Sequence, residues 1–201
     1  MEFEKGHLYH IYNQGNNHQK VFFDRDNYLF FITKMRIHIL PYADILAWCL
    51  MPNHFHLMVY VREVEIIVEP PKPSLGAKAS VTRTFNHSIG IMLRSYTNAI
   101  NKRNNWLGAL FRRKTKAECL DCSKGLTPSF FTTQGVTSIN IPDPEKQYPQ
   151  ICFDYIHANP TKAGLVTNDE AWEFSSASDY AGLRSGTLID KELTFKVLEK
   201  S

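Results

Sequence analysis

Little in this chain of 201 residues points to export or to a membrane. Cysteine is scarce: four residues are too few to staple a domain of this length, and such sparse thiols suit a reducing, cytoplasmic setting. No apolar run approaches the ~20 residues that span a bilayer, and the mean hydropathy is −0.30. The opening Met1-Glu2-Phe3-Glu4-Lys5 carries acids with no apolar stretch behind it, so no secretory leader is expected. Neither sign of charge dominates. Lys+Arg 23 against Asp+Glu 20 leaves +3, too small an excess to identify a nucleic-acid binder by itself. What is present is ordinary for a folded domain: 43% hydrophobic and 21% charged residues, which argue against a disordered chain. A core can form at this length without staples. We expect one domain over 1–201, with insertions at about 63–82 and 121–144.

The order of elements follows from periodicity and punctuation. His7 to Tyr12 alternates as a strand does and ends in the turn-rich Asn13-Gln14-Gly15-Asn16-Asn17. Asp24 caps a helix in which Tyr28, Phe31, Ile32 and Met35 recur at helical spacing as far as Pro41. Two apolar runs, Ala43 to Met51 and His54 to Val61, are separated only by Pro52-Asn53, which predicts a tight hairpin. From Glu63 to Thr82 periodicity is lost, and Pro70-Pro71-Lys72-Pro73 predicts a loop or flap. A second helix covers Phe85 to Lys102, then a short strand Ala109 to Lys114. A Ser/Thr/Gly/Pro-rich stretch follows from Asp121 to Pro144. A last helix begins after Pro149 and is expected to stop near Asn159-Pro160. Strand, helix, two strands, helix, strand and helix make a ferredoxin-like (RRM-like) α+β sheet, with an added C-terminal helix.

Chemistry concentrates in two places. His54 and His56 flank Phe55 on a predicted strand, so both imidazoles share one face and Phe55 points into the core. Such a pair can hold a divalent cation while leaving positions open for substrate. Two partly exposed strand histidines are the plainer reading of an H-x-H taken alone. On the last helix Tyr155 and Asn159 lie four residues apart, hence on one face. They offer a phenol nucleophile and a third oxygen ligand, or else a half-buried aromatic and a helix stop. Of the tyrosines on predicted helices, only Tyr155 has a ligand-type residue four positions on; Tyr96 is followed by Ile100 and Tyr180 by Arg184. His157 falls on nearly the opposite face from Tyr155 and reads as packing or surface. Lys102, Arg103, Arg112, Arg113, Lys114 and Lys116, interleaved with Trp106 and Phe111, form the densest basic region. That mixture suits single-stranded or hairpin nucleic acid; the alternative is a solvated surface over two core aromatics. Cys119 and Cys122 form a lone C-x-x-C without a second pair. They read as two unrelated thiols in a loop, against half a zinc site or a redox pair.

Four segments taken together resemble the single-tyrosine HUH transposases, and within them the REP-associated tyrosine transposase branch. Met51-Pro52-Asn53-His54-Phe55-His56-Leu57-Met58-Val59 looks like that family's His-hydrophobic-His segment. Asp154-Tyr155-Ile156-His157-Ala158-Asn159-Pro160, continuing to Val166, is similar to its nucleophile helix. Trp172-Glu173-Phe174-Ser175-Ser176 with Tyr180 resembles the branch's tail, and Asn13-Gln14-Gly15-Asn16-Asn17 with Val21-Phe22 its first loop. The resemblance covers most of 4–61, 85–117 and 148–183. It implies Tyr155 as nucleophile, with His54, His56 and Asn159 as ligands of Mg²⁺ or Mn²⁺, and DNA cleaved through a 5′-phosphotyrosine link at hairpin-associated sites. It is compatible with a monomer or with a homodimer that places one chain's tyrosine helix against the other's histidines. Two other functions compete. A catalytically silent nucleic-acid-binding module on the same fold would need neither Tyr155 nor the histidine pair. A zinc hydrolase would need a carboxylate that Asp154, turned away from Asn159, does not provide.

Overall fold

The structure is a computed structural model that describes residues 2–69, 80–122 and 144–199. Strand β1 (Leu8–Gln14) is followed by α1 (Arg25–His38), β2 (Ala43–Met51) and β3 (His54–Val61). Next come the short strands β4 (Glu65–Val68) and β5 (Val81–Thr84), then α2 (Phe85–Asn104), β6 (Lys116–Cys119) and α3 (Pro144–Lys162). Two small helices, α4 (Ala177–Tyr180) and α5 (Lys191–Leu198), complete the described chain. The main sheet has the order β2-β3-β1-β6, with its β2/β3, β3/β1 and β1/β6 pairs all antiparallel. This is the ferredoxin-like arrangement, and α+β is the fold class. No helix among the described residues is long and apolar enough to cross a membrane.

The sheet is covered on both sides, and the pleat decides what each side receives. Phe55, Leu57, Val59 and Val61 of β3 and Tyr9 and Ile11 of β1 belong to the core shared with α1 and α2, which supply Phe31, Met35, Ile89, Met92 and Tyr96. Leu8 and Met58 join Tyr148, Cys152 and Ile156 of α3 in a second cluster on the opposite face. In β2 the register shifts between Ile45 and Ala47. This bulge lets Leu46 and Ala47 both serve the α3 side, while Ile45 and Trp48 serve the other.

Local signals account for the ends of the elements. The Asp24 carboxylate accepts from Asn27 N at the start of α1, and the Thr84 hydroxyl accepts from His87 N at the start of α2. The exposed edge of β2 is closed by the tail: Leu50 N donates to Phe174 O, Ser176 N donates to Trp48 O, and Tyr28 stacks on Phe174 at 3.8 Å.

Four expectations need correction. The segment around 63–82 is not simply a loop, since β4 and β5 pair from Glu65↔Thr84 to Val68↔Val81; residues 70–79, with the proline run, lie outside the described residues. Most of the 121–144 insertion also lies outside them. The sixth strand is Lys116–Cys119, not Ala109 to Lys114. Leu110 and Phe111 are buried, which mimics a strand in the sequence, but their backbone docks on the first loop through Asn16 N to Leu110 O and Arg112 N to Gln14 O. The last helix starts at Pro144 and not after Pro149, while its end at Lys162 lies near Asn159-Pro160 as expected. Pro160 falls in its last turn, where a missing N–H costs one bond; the helix ends two residues later at Lys162, and Gly164, with a φ of +69°, is the left-handed cap. Finally, Cys119 and Cys122 are not unrelated thiols: they are joined as a disulfide.

The tail is pinned by a buried ion pair. Asp179, with a side chain 2% exposed, receives Arg184 at 2.7 Å and the Gly186 amide at 2.8 Å. A Cβ on Gly186 would meet Asp179 Oδ1 at 2.6 Å, so the site requires glycine there. Burial alone would raise the Asp179 carboxyl, but hydrogen bonds from Arg184 and Gly186, with the Arg184 and Lys191 charges, hold it below the usual aspartate value. Arg184 is 33% exposed, so Arg184→Ala should destabilise by roughly 2–3 kcal/mol, less than for a fully buried pair. The pair's contribution is present above the ordinary aspartate range and is lost as pH falls through the depressed folded value. Urea unfolding of the two proteins at pH 7 and pH 3 checks both statements; equal midpoints at pH 7 would refute the first.

Candidate active site

The face of the sheet beneath α3 is polar where β1 and β3 run out together. β1 pairs with β3 in the register Tyr12↔His56 and Gln14↔His54, so His10, Tyr12, His54 and His56 share that face. Tyr155 of α3 lies over them, its ring centroid 5.3 Å from that of His56 and 6.1 Å from that of His10. Asn159, one turn on, donates from Nδ2 to the Tyr155 carbonyl at 2.7 Å, which orients its amide. These groups border an open cavity of about 510 Å³, whose far wall is Arg112, Lys114 and Lys116.

Hydrogen bonding sets the state of each imidazole. His54 Nδ1 lies 2.6 Å from the Asn53 amide oxygen, an acceptor, so Nδ1 carries the proton and Nε2 presents a lone pair. His56 Nδ1 lies 2.9 Å from His10 Nε2, while His56 Nε2 is buried and has no hydrogen-bond partner. When His56 donates from Nδ1, that orphaned Nε2 is left with a free lone pair, the usual arrangement of a histidine ligand with its second nitrogen held from behind. Burial pushes all three imidazoles down, His10 to about 3 and His56 well below its ordinary value, where the neighbouring His10 and His54 add to the effect. His54 is lowered less freely because its hydrogen bond with Asn159 opposes burial. The three rings are therefore neutral at physiological pH, as metal ligation requires.

Two imidazole nitrogens and an amide oxygen with open positions fit a six-coordinate divalent cation; the imidazoles suit Mn²⁺ better than Mg²⁺. The orphaned His56 Nε2 is the feature that such an ion would satisfy.

The other residues singled out in the sequence separate. Arg113 lines the adjoining groove with Lys114 and Lys116. Lys102 and Arg103 sit in the last turn of α2, line no part of the cavity, and Arg103 is engaged by Asp24 at 2.9 Å. Phe111 is buried in the core and unavailable for base stacking, whereas Trp106 is 44% exposed against Phe23. Tyr96 is fully buried and donates to Val21 O at 2.6 Å, which removes it as a nucleophile. His157 is buried, with Nε2 2.7 Å from Ser176 Oγ, and so packs as expected. Asp154 is exposed and accepts from Gln150.

Two residues escaped the sequence reading. His10 backs His56, a role visible only once β1 and β3 are in register. Asn13 is buried and donates to Arg112 O and Thr115 Oγ1, fixing the basic segment to the end of β1. Its place in the turn-rich loop was the only hint.

No protein-family model and no curated protein matches the chain. Among solved structures it is similar to a REP-associated tyrosine transposase bound to a REP hairpin, at 18% identity and a TM-score of 0.54. The match covers 94% of this chain and 92% of that one, so the two share a fold along almost their whole length.

Burial raises the Tyr155 phenol above its ordinary value, and the hydrogen bond with Asn159 opposes this. Asn159→Ala should therefore move the phenol further up in metal-free protein. Tyrosine ring-carbon NMR across alkaline pH would read the shift, and a downward one would contradict the geometry.

Proposed function

We propose that the protein is a divalent-metal-dependent DNA strand transferase that cleaves single-stranded or hairpin DNA with Tyr155. One observation carries this reading: a phenol, two imidazoles and an amide oxygen border the same cavity as three cationic side chains, within a single chain. Shared fold with a transposase that carries a DNA hairpin supports the substrate class.

Tyr155 Oη attacks phosphorus in line, the bond from phosphorus to the 3′ oxygen breaks, and a 5′-phosphotyrosine ester forms. The phenol proton passes to solvent, and the departing 3′ oxygen takes one up. Because one phosphodiester replaces another, a second 3′-hydroxyl can reverse the step and join strands. A free phenol is about one part in a thousand phenolate at pH 7, and burial makes Tyr155 weaker still as an acid. A cation held by His54, His56 and Asn159 would polarise the phosphate and favour phenolate. Lys162, with its ammonium 5.6 Å from the Tyr155 ring centroid, adds positive potential where the negative charge develops. Asn159 shares one helix face with Tyr155 and hydrogen-bonds with His54, so it links the phenol's helix to the ligand strand. Arg112, Lys114 and Lys116 bind the flanking phosphates.

Incubation of hairpin-bearing oligonucleotides with Mn²⁺ or Mg²⁺ should give a protein–DNA adduct that survives denaturing electrophoresis. Tyr155→Phe and chelation should each abolish it, whereas Tyr96→Phe should keep it. DNA binding by the wild type without any adduct would establish the silent module instead. Replacing Arg112 and Lys114 by Ala should flatten the dependence of affinity on salt by about 1.4–1.8 in the log–log slope. An unchanged slope would remove them from the interface.

A further inference from the structure

A second group of ligand-type side chains lies at the other end of β1. His7 precedes that strand, Cys119 ends β6, and Asp121 and Cys122 follow it. One ligand atom from each lies within 4.8 Å of the others. His54 faces Gln14, seven residues along β1 from His7, or about 23 Å at the rise of a strand. The two groups are therefore separate.

We infer that, with the cysteines reduced, His7, Cys119, Asp121 and Cys122 form a structural zinc site. Ligands at about 2.0–2.3 Å from a tetrahedral Zn²⁺ stand about 3.3–3.8 Å apart. The structure holds His7 Nδ1 3.2 Å from Asp121 Oδ1, Cys119 Sγ 3.3 Å from Asp121 Oδ1, and Cys122 Sγ 3.8 Å from His7 Nδ1. A disulfide calls for neither an imidazole nor a carboxylate beside it, whereas a cation calls for both. The supporting contacts are also those of a ligand set. Leu8 N donates to Asp121 Oδ1 at 3.0 Å, and the remote Nε2 of His7 faces the Glu4 carboxylate at 3.8 Å. Two thiolates with an imidazole select zinc over magnesium or calcium, and C-x-x-C is the common spacing for a zinc ligand pair. A thiol reductant supplies two electrons and two protons to open the Cys119–Cys122 bond. Zn²⁺ then displaces the two thiol protons, while the carboxylate and the neutral imidazole bind without further change. The site would clip the entry of β1 to the exit of β6, closing a loop of more than a hundred residues.

Cobalt distinguishes this site from the one at Tyr155, because only this one has sulfur donors. Full-length protein purified with a phosphine reductant and titrated with Co²⁺ should develop sulfur-to-cobalt charge-transfer absorption that saturates at one ion per chain. Zn²⁺ should bleach it. His7→Ala should weaken Co²⁺ binding at least tenfold, and a Cys119→Ser/Cys122→Ser double variant should lose the absorption. His54→Ala should retain it in full. No charge-transfer band in the reduced wild type would overturn the assignment, as would a band that persists in the double variant. A pair that mass spectrometry shows still oxidised in the reductant would overturn it too.

Discussion

The pairing of β1 with β3 governs the rest of the molecule. Phe55, Leu57, Val59 and Val61 must all reach the core beneath α1 and α2, and in a pleated strand this sends His54, His56 and Met58 to the other side. A slip of one residue would bury the imidazoles among Phe31 and Met35 and expose the apolar set. The cost of that exchange, several buried apolar side chains at about 1.5–3 kcal/mol each, keeps the histidines on their face, and the contacts with Asn53 and His10 then orient the rings. The face on which the imidazoles stand is thus a by-product of core packing.

The same sheet explains how α3 both covers apolar surface and brings Tyr155 over the imidazoles. Its apolar stripe, Tyr148, Cys152 and Ile156, seals the half of the sheet where Leu8, Met58 and the bulged Leu46 and Ala47 offer apolar surface. One turn further on, the surface below becomes polar, and the helix presents Tyr155 and Asn159 to it. Burial of the imidazoles keeps them neutral, and burial of the phenol keeps it protonated. The imidazoles on the sheet side are thus neutral, the carboxylate on that face is Glu118, which accepts from Tyr12 Oη at 2.7 Å, and positive charge comes from Arg112, Lys114, Lys116 and Lys162.

Much of this was legible in the residues themselves. H-x-H on a strand and Tyr-x-x-x-Asn on a helix depend only on local periodicity, and local periodicity survives in a sequence. The cap at Asp24, the hairpin at Pro52-Asn53 and the packing of His157 are of the same kind. The misplaced sixth strand shows the limit. Leu110 and Phe111 look like strand residues because they are buried, and burial alone does not say whether the backbone hydrogen-bonds to a neighbouring strand or to a loop. Pro149 shows another: it read as the residue before the last helix, yet it lies inside α3, and a proline within the first turns of a helix leaves the same sequence signal as one that precedes it.

The run from β1 through α1, β2 and β3, the helix α2, and the placing of His54 and His56 on a strand and of Tyr155 and Asn159 on a helix were thus legible in the chain's own pattern. Tertiary structure alone decided that His10 stands behind His56, that Asn13 anchors the basic wall, that Lys102 and Arg103 lie outside it, and that His7 meets Cys119, Asp121 and Cys122. The contacts His10–His56, Asn13–Arg112 and His7–Asp121 each join residues more than forty positions apart, with Asn13 and Arg112 separated by 99. Strand register creates such contacts. Register is a property of how whole elements share a core, so no window of neighbouring residues carries it.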